Sequence, residues 1–304
     1  MYKYILKRVL IAIGTVFALA TITFFLMKVI PGDPFNNPKI PEQVREAQRA
    51  YYGLDKPVLE QYINYMSNLL HGDLGSSMVK RGRTVTSIIA QTFPISAKLG
   101  LLSLLAVEII GDLCGIICAK NRGKLIDRIL LLFSVIGVAM PSMVIGPILR
   151  YVFGVQLAWL PVTGWGTAAQ LILPVIVLGY GDIAGNIRGL RASMLRVSTE
   201  DYIKTAQAKG LNTVEVVWHH QLRNAFVPII SNLGVAVASV MMGSFVVENM
   251  FLIPGLGKYF VDSVTTMDYP MIMGLTIFYG AFLVTMNLLI DVVYGLLDPQ
   301  IRIK

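Results

Sequence analysis

Chemistry, if this chain performs any, has few side chains to work with. Three histidines are present, His71, His219 and His220. The last two are adjacent, so on a helix their rings point about 100° apart, which does not suit a shared metal ion. Cys114 and Cys118 are four residues apart and share one face of an apolar helix, where thiols are usually packing residues. Gly255-Leu256-Gly257-Lys258 lacks both the first glycine and the hydroxyl of a phosphate-binding loop, and Gly-x-x-x-x-Gly-Lys-Ser/Thr occurs nowhere in the chain. No nucleophile pairs with a base. The pattern points away from an enzyme and nominates no catalytic residue, no metal ligand and no cofactor site on this chain.

Ionisable groups inside apolar runs are the stronger signal. Glu108 and Asp112 lie one helical turn apart near the middle of one run, and Asp182 lies near the middle of another. Arg150, Glu248 and Asp291 stand closer to the ends of theirs. A charge at bilayer depth costs about 2.5–3.5 kcal/mol on insertion scales, so each group needs a partner, a proton or a water-filled path. Two readings stay open: mutual pairing within a helix bundle, or a polar lining for a solute pathway. On the second, Glu108, Asp112, Asp182 and Glu248 are the candidate lining.

The elements that must position these groups are membrane spans. Apolar residues make up 55% of the chain and charged residues 14%, with mean hydropathy +0.65, too little polar surface for a water-soluble fold. Residues 9–27 form an uncharged run long enough to cross a hydrocarbon core of about 30 Å. Five more follow at 95–119, 129–153, 171–190, 229–251 and 273–297. The expectation is an all-α polytopic membrane protein of six transmembrane helices with a long outer loop after the first. It divides into 1–30 (basic end and first helix), 31–94 (outer loop with amphipathic helices) and 95–304 (the core). Ala18-Leu19-Ala20 resembles a signal-peptidase site, but apolar sequence continues through Phe24, Phe25 and Leu26, so the first helix is expected to be retained. Pro141, Gly146, Pro147, Pro174, Gly179 and Gly181 fall within spans, where they permit bends or close helix approach.

Basic residues orient the bundle. Lys3, Lys7 and Arg8, then Lys120, Arg122, Lys124 and Arg128, then the arginines and lysines of 188–223, and finally Arg302 and Lys304 all fall on one side. The positive-inside rule makes that side, with both termini, cytoplasmic. The net charge of +8 reflects this topology, and no basic stripe with interleaved aromatics suggests nucleic acid.

Two non-spanning segments stand out. In 31–94, helices are expected at 41–52 and at 58–70, the second with Leu59, Tyr62, Tyr65, Met66, Leu69 and Leu70 along one face that lies on protein or on the membrane surface. That segment reads as a cap over the bundle, a landing site for an external partner, or both. In 191–228, Ser198-Thr199-Glu200-Asp201 fits a capping box opening one short helix. Gly210 ends it in the left-handed conformation, and Asn212 with Glu215 repeats the start signal for a second helix running towards Arg223.

The run Asp201-Tyr202-Ile203-Lys204-Thr205-Ala206-Gln207-Ala208-Lys209-Gly210-Leu211, followed by His220-Gln221-Leu222-Arg223-Asn224-Ala225 and Pro228, resembles the cytoplasmic loop of ABC importer permeases in the peptide and nickel branch. Pro31-Gly32-Asp33-Pro34, Gly53-Leu54-Asp55-Lys56-Pro57, Gly72-Asp73-Leu74-Gly75, Trp159-Leu160-Pro161, Pro254-Gly255-Leu256-Gly257, Asp268-Tyr269-Pro270 and Leu297-Asp298-Pro299 resemble the same branch, most like its oligopeptide B subunit. The wider family writes Glu-Ala-Ala where this chain has Lys204, Thr205 and Ala206, and often an aliphatic residue at His220. The resemblance implies a type I importer fold in a bacterial or archaeal cytoplasmic membrane. It implies a second, homologous permease subunit, two ATPase subunits that carry the ATP and magnesium, an extracytoplasmic solute-binding protein, and lipid around the spans. It also implies that the helix after Gly210 docks an ATPase, with Asp201, Ala206, Gly210, Leu211, Glu215, His220, Leu222, Arg223 and Asn224 as the coupling residues. The competing expectation is a secondary transporter driven by an ion gradient through Glu108, Asp112 or Asp182.

Overall fold

The computed structural model describes residues 2–30, 35, 41–230, 236–237, 240 and 244–297. Every regular element among them is helical, and extended pairing is confined to one bridge between Ser76 and Thr84. Among the described residues four helical stretches are long and apolar enough to span a bilayer: Leu6–Val29, Val85–Lys120, Ala168–Val197 and Tyr269–Leu289. A fifth is a bent pair. The expected single helix at 129–153 is two, α6 (Leu125–Ala139) and α7 (Ser142–Leu149), the latter continued by a π-helical stretch Arg150–Gln156, with a 119° bend between them. Met140 before Pro141 is extended (φ −95°, ψ 124°), as the proline ring requires of its predecessor, and the helix cannot pass through. Of the expected span at 229–251, residues 231–235, 238–239 and 241–243 lie outside the described residues.

The chain forms two compact units, one made of the residues up to Pro94 together with those from Gly255 onward, the other of Ile95–Pro254. In the first, α1 (Tyr2–Val29) packs along α14 (Tyr269–Leu297) so closely that a Cβ on Gly280 would lie 2.1 Å from Leu19. The short helices α2 (Glu42–Tyr51) and α3 (Val58–Leu70) fall where the sequence placed them. Neither contains a fully buried residue. Tyr62 of α3 shares a 2.8 Å hydrogen bond with Thr21, Phe24 stacks on Tyr65 with centroids 5.5 Å apart, and Lys28 donates to Gln61. These contacts lay α3 against α1. Only part of the expected apolar face is covered: Tyr62, Tyr65, Met66 and Leu69 are half-buried, whereas Leu59 and Leu70 are exposed. The register follows the phenols, whose rings pack on the aromatic surface of α1 while the Tyr62 hydroxyl bonds Thr21.

Asp268 clasps this unit. It is 2% exposed and accepts from the Ser77 hydroxyl, from the Met78 amide at 3.0 Å and from the Val79 amide at 3.4 Å. The clasp fixes loop 77–79 just ahead of α14. Below it Val85, Ile88 and Ile89 of α4 (Val85–Ala106) meet Leu256 of α13 (Leu256–Thr265) and Met271 and Leu275 of α14.

In the second unit α8 (Ala168–Val197) is the central post. Thr167 and Gln170 make both bonds of a capping box at its start. Its partners are α5 (Asp112–Lys120), which a π-helical turn, Val107–Gly111, joins to α4, and the bent pair α6 and α7. Small residues set the spacing: a Cβ on Gly137 would lie 2.4 Å from that of Ala184, and one on Gly179 would lie 2.6 Å from the Ser103 hydroxyl. Leu99, Leu173 and Val177 pack with Val247 of α12 (Phe245–Met250) and with its C-cap Phe251 into a second apolar cluster.

Candidate functional site

The hairpin that follows α8 is built from α9 (Asp201–Ala208), a glycine turn, and a second helical stretch. That stretch comprises α10 (Thr213–Glu215), a π-helical turn Val216–Gln221 and α11 (Leu222–Ala225). Its first start signal is not used as expected. Ser198 is the C-cap of α8, still helical at φ −63° and ψ −16°. Its hydroxyl donates to the Leu195 carbonyl at 2.6 Å, and that of Thr199 to the Arg196 carbonyl at 2.7 Å. Glu200 is the N-cap of α9 and makes no side-chain cap bond. A hydroxyl within reach of the carbonyls of an ending helix bonds there first, and the box to Asp201 is lost.

The second signal forms in full. Asn212 Oδ1 accepts from the Glu215 amide at 2.9 Å and Glu215 Oε2 accepts from the Asn212 amide at 3.0 Å, the reciprocal pair of a capping box. Between the helices Gly210 has φ +83°. Its amide donates to Gln207 at 3.0 Å and the Leu211 amide to Ala206 at 3.4 Å, the two bonds of a Schellman C-cap.

Packing then decides which face is presented. Ile203, Ala206, Val216, Val217, Leu222 and Ala225 join Leu190, Met194 and Val197 of α8 in one apolar cluster. Val217 and Leu222 are five residues apart yet both buried, because the π turn inserts a residue between them. The Gln221 amide donates to the Met194 carbonyl at 2.8 Å, and the Asn224 amide to the Tyr202 hydroxyl at 2.8 Å. Of the nominated coupling residues, Ala206 and Leu222 lie inside the hairpin. Asp201, Gly210, Leu211, Glu215, Arg223 and Asn224 are exposed, and His220 is half-buried. Two residues that sequence reasoning did not nominate complete the outer face. Val214 and Trp218 are 56% and 62% exposed, and with Leu211 they recur at i, i+3 and i+7. Val214 and Trp218 lie one turn apart on the second helical stretch with Leu211 just ahead of its Asn212 cap, and that spacing was available as a signal in the sequence.

The hairpin is anchored at its root by a cluster that sequence reasoning also missed. Asp127, 2% exposed, receives Arg191 Nε at 2.7 Å and Nη2 at 2.9 Å, the Gly123 amide at 2.8 Å and the Cys118 thiol at 2.8 Å. Bidentate guanidinium pairing of this kind holds direction as well as charge. Arg191 lies on α8 one turn before Met194, so the ion pair and the Gln221 bond brace the same turn of that helix.

The nominated pathway residues separate into two places. Glu108 sits in the π-helical turn Val107–Gly111 and accepts from the Asn186 amide of α8 at 3.4 Å. Asp112 begins α5 one turn on, and Asp182, exposed, lies one turn before Asn186. Glu108 and Asp112 thus lie together where α4 and α5 meet α8, and Asp182 is on α8 itself. Glu248 stands apart on α12, 0% exposed, beside Val247 of the second apolar cluster.

Comparison with known proteins follows this geometry across the whole chain. Residues 111–303 match the family described as binding-protein-dependent transport system inner membrane component, and residues 1–100 match the N-terminal component of the same transport-system membrane proteins. The chain is 40% identical over 304 residues to a dipeptide transport system permease protein of Bacillus subtilis, covering 100% of this chain and 99% of that one. It is 40% identical over 305 residues to an oligopeptide transport system permease protein of Haemophilus influenzae, and 39% identical over 305 residues to that of Salmonella typhimurium, each covering 99% of this chain and 100% of the relative.

Proposed function

Because the chain belongs to the family of binding-protein-dependent transport system inner membrane components, we propose that it is the membrane-spanning permease subunit of an ATP-driven peptide importer. It sits in a bacterial or archaeal cytoplasmic membrane with both termini inside. Oligopeptides are the first substrate reading, with dipeptides or nickel chelates as alternatives within the branch. The observation that carries the proposal is the braced hairpin with its exposed stripe of Leu211, Val214 and Trp218. An exposed aromatic among aliphatic residues, on a helix whose other face is locked to α8, suits insertion into a groove on a soluble partner.

In this reading two ATPase subunits, holding ATP and magnesium, close together on nucleotide binding and pull the hairpins with them. This permease then turns against a second, homologous permease, and the cavity between them opens outwards to receive solute from an extracytoplasmic binding protein. Hydrolysis resets the inward-facing state. The chain lowers no chemical barrier itself; it supplies differential binding of its partners in two conformations. Reconstitution tests the reading. The chain alone should hydrolyse no ATP and move no peptide, whereas the assembled complex should show peptide-stimulated hydrolysis and uptake. Uphill uptake by the lone chain with only an ion gradient would replace this reading with the secondary transporter working through Glu108, Asp112 or Asp182.

A further inference from the structure

The unit made of the residues up to Pro94 and from Gly255 onward contains a cavity of about 270 Å³, near the lower end of the range for small-ligand pockets. Its floor is Phe24 and Tyr269, both buried, and its mouth is formed by Tyr51, 80% exposed, and by Asn64 and Asn68, also exposed. One face of α3, Gln61, Asn64, Tyr65 and Asn68, runs along it at i, i+3, i+4 and i+7. We propose that this cavity is a binding site for a short zwitterionic peptide, separate from any passage between permease subunits. This inference rests on the importer reading and adds a residence point to it.

Three features of the lining select this ligand class. The Asn64 and Asn68 carboxamides present paired donors and acceptors that match a peptide backbone without reading its side chains, while Gln61 is held by Lys28, Leu54 and Lys56. Tyr51, Tyr52, Tyr65 and Tyr269 offer ring faces to any apolar side chain, and the Tyr65 hydroxyl, shielded from solvent, has no hydrogen-bond partner among the described residues. A buried donor left in that state is destabilising, and a ligand acceptor would relieve it. Among the described residues the charged lining groups are one cation, Lys28, which also donates to Gln61, and one anion, Asp73. A peptide can set its carboxylate towards the first and its ammonium towards the second. Asp73 already turns one oxygen to the Gly75 amide at 2.8 Å, so its carboxylate is held rather than loose. A neighbouring cavity of about 370 Å³ shares Tyr51, Tyr52, Ser76 and Met78 with the first, which leaves room for a longer chain beyond the two tyrosines.

The test is photolabelling of the reconstituted complex with alanyl-p-benzoylphenylalanine, with adducts mapped by mass spectrometry and uptake of labelled alanyl-phenylalanine measured on the same vesicles. Adducts are expected within 51–78 or 269–273, displaced by unlabelled alanyl-phenylalanine. Acetylating the probe's amine, or replacing Asp73→Asn, should cut labelling about tenfold, the equivalent of one charged contact; Tyr65→Phe should cut it less. Adducts confined to 95–254, or cavity adducts that phospholipid displaces and peptide does not, would overturn the proposal. If ATP-driven uptake persists while the cavity stays unlabelled, only this inference falls. If the cavity is labelled and no peptide is taken up with ATP, the importer reading falls and the site stands.

Discussion

The hairpin at 198–229 and the segment at 31–94 both leave apolar spans and both carry short amphipathic helices, yet they are held in opposite ways. The hairpin is locked by a dry cluster that includes Ile203, Val217, Leu222 and Met194, and by the Asp127–Arg191 pair at its root. What it shows to solvent is an apolar stripe. The 31–94 segment has no fully buried residue in either α2 or α3 and is held by tyrosine edges, single hydrogen bonds and the Asp268 clasp. What it shows is a cavity lined with amides and phenols. Dense burial makes an element move as a rigid body with its support, while sparse burial lets an element open locally at low cost. The first suits a lever and the second suits a receptacle.

The sharpest way to break this contrast is at the root of the lever. Asp127→Asn leaves Arg191 without its counter-charge, and an unfolding titration in detergent should register a loss of about 3–5 kcal/mol. A loss below about 1 kcal/mol would mean that apolar packing alone secures the hairpin. Next in size is the stripe itself. Trp218→Ala should leave the chain's own stability within about 0.5 kcal/mol, because the ring is 62% exposed. The same change should weaken association with the ATPase subunits by about 2 kcal/mol or more, roughly thirtyfold in Kd, in a pull-down titration.

The clasp comes third. Asp268→Asn turns one acceptor into a donor facing other donors, at a cost of about 1–3 kcal/mol. Hydrogen exchange should accelerate at 77–84 and stay unchanged at 201–225; equal acceleration in both places would erase the distinction between the two regions. The smallest effects separate the two starts within the hairpin. Asn212→Ala should cost about 1 kcal/mol as a lost cap, and Ser198→Ala should stay within about 0.5 kcal/mol because its hydroxyl bonds an exposed carbonyl at the end of α8 and caps no helix start. Thermal melts of the two variants side by side would measure the difference.

Local signals were read well wherever a few neighbouring residues decide the outcome. The short helices at 41–52 and 58–70, the glycine at 210 and the Asn212–Glu215 cap all rest on neighbouring residues, and each has the expected conformation. The Ser198 signal failed because two helices compete for one hydroxyl, and the pattern does not say which will win. Hydropathy alone carries one span straight through Pro141, because it measures how apolar a stretch is and ignores its direction.

Composition and period therefore settled that the chain is helical, enters a bilayer repeatedly and carries a polar hairpin, since hydropathy and capping act over distances of one helix or less. The pairing of Asp127 with Arg191, the gathering of Glu108 and Asp112 against Asn186 but away from Glu248, and the burial of Ala206 beside the exposure of Trp218 were settled by how the helices pack. Asp127 and Arg191 are 64 residues apart in sequence. A contact across that separation depends on the interdigitation of whole helices, which small residues such as Gly137 and Gly179 allow but do not specify.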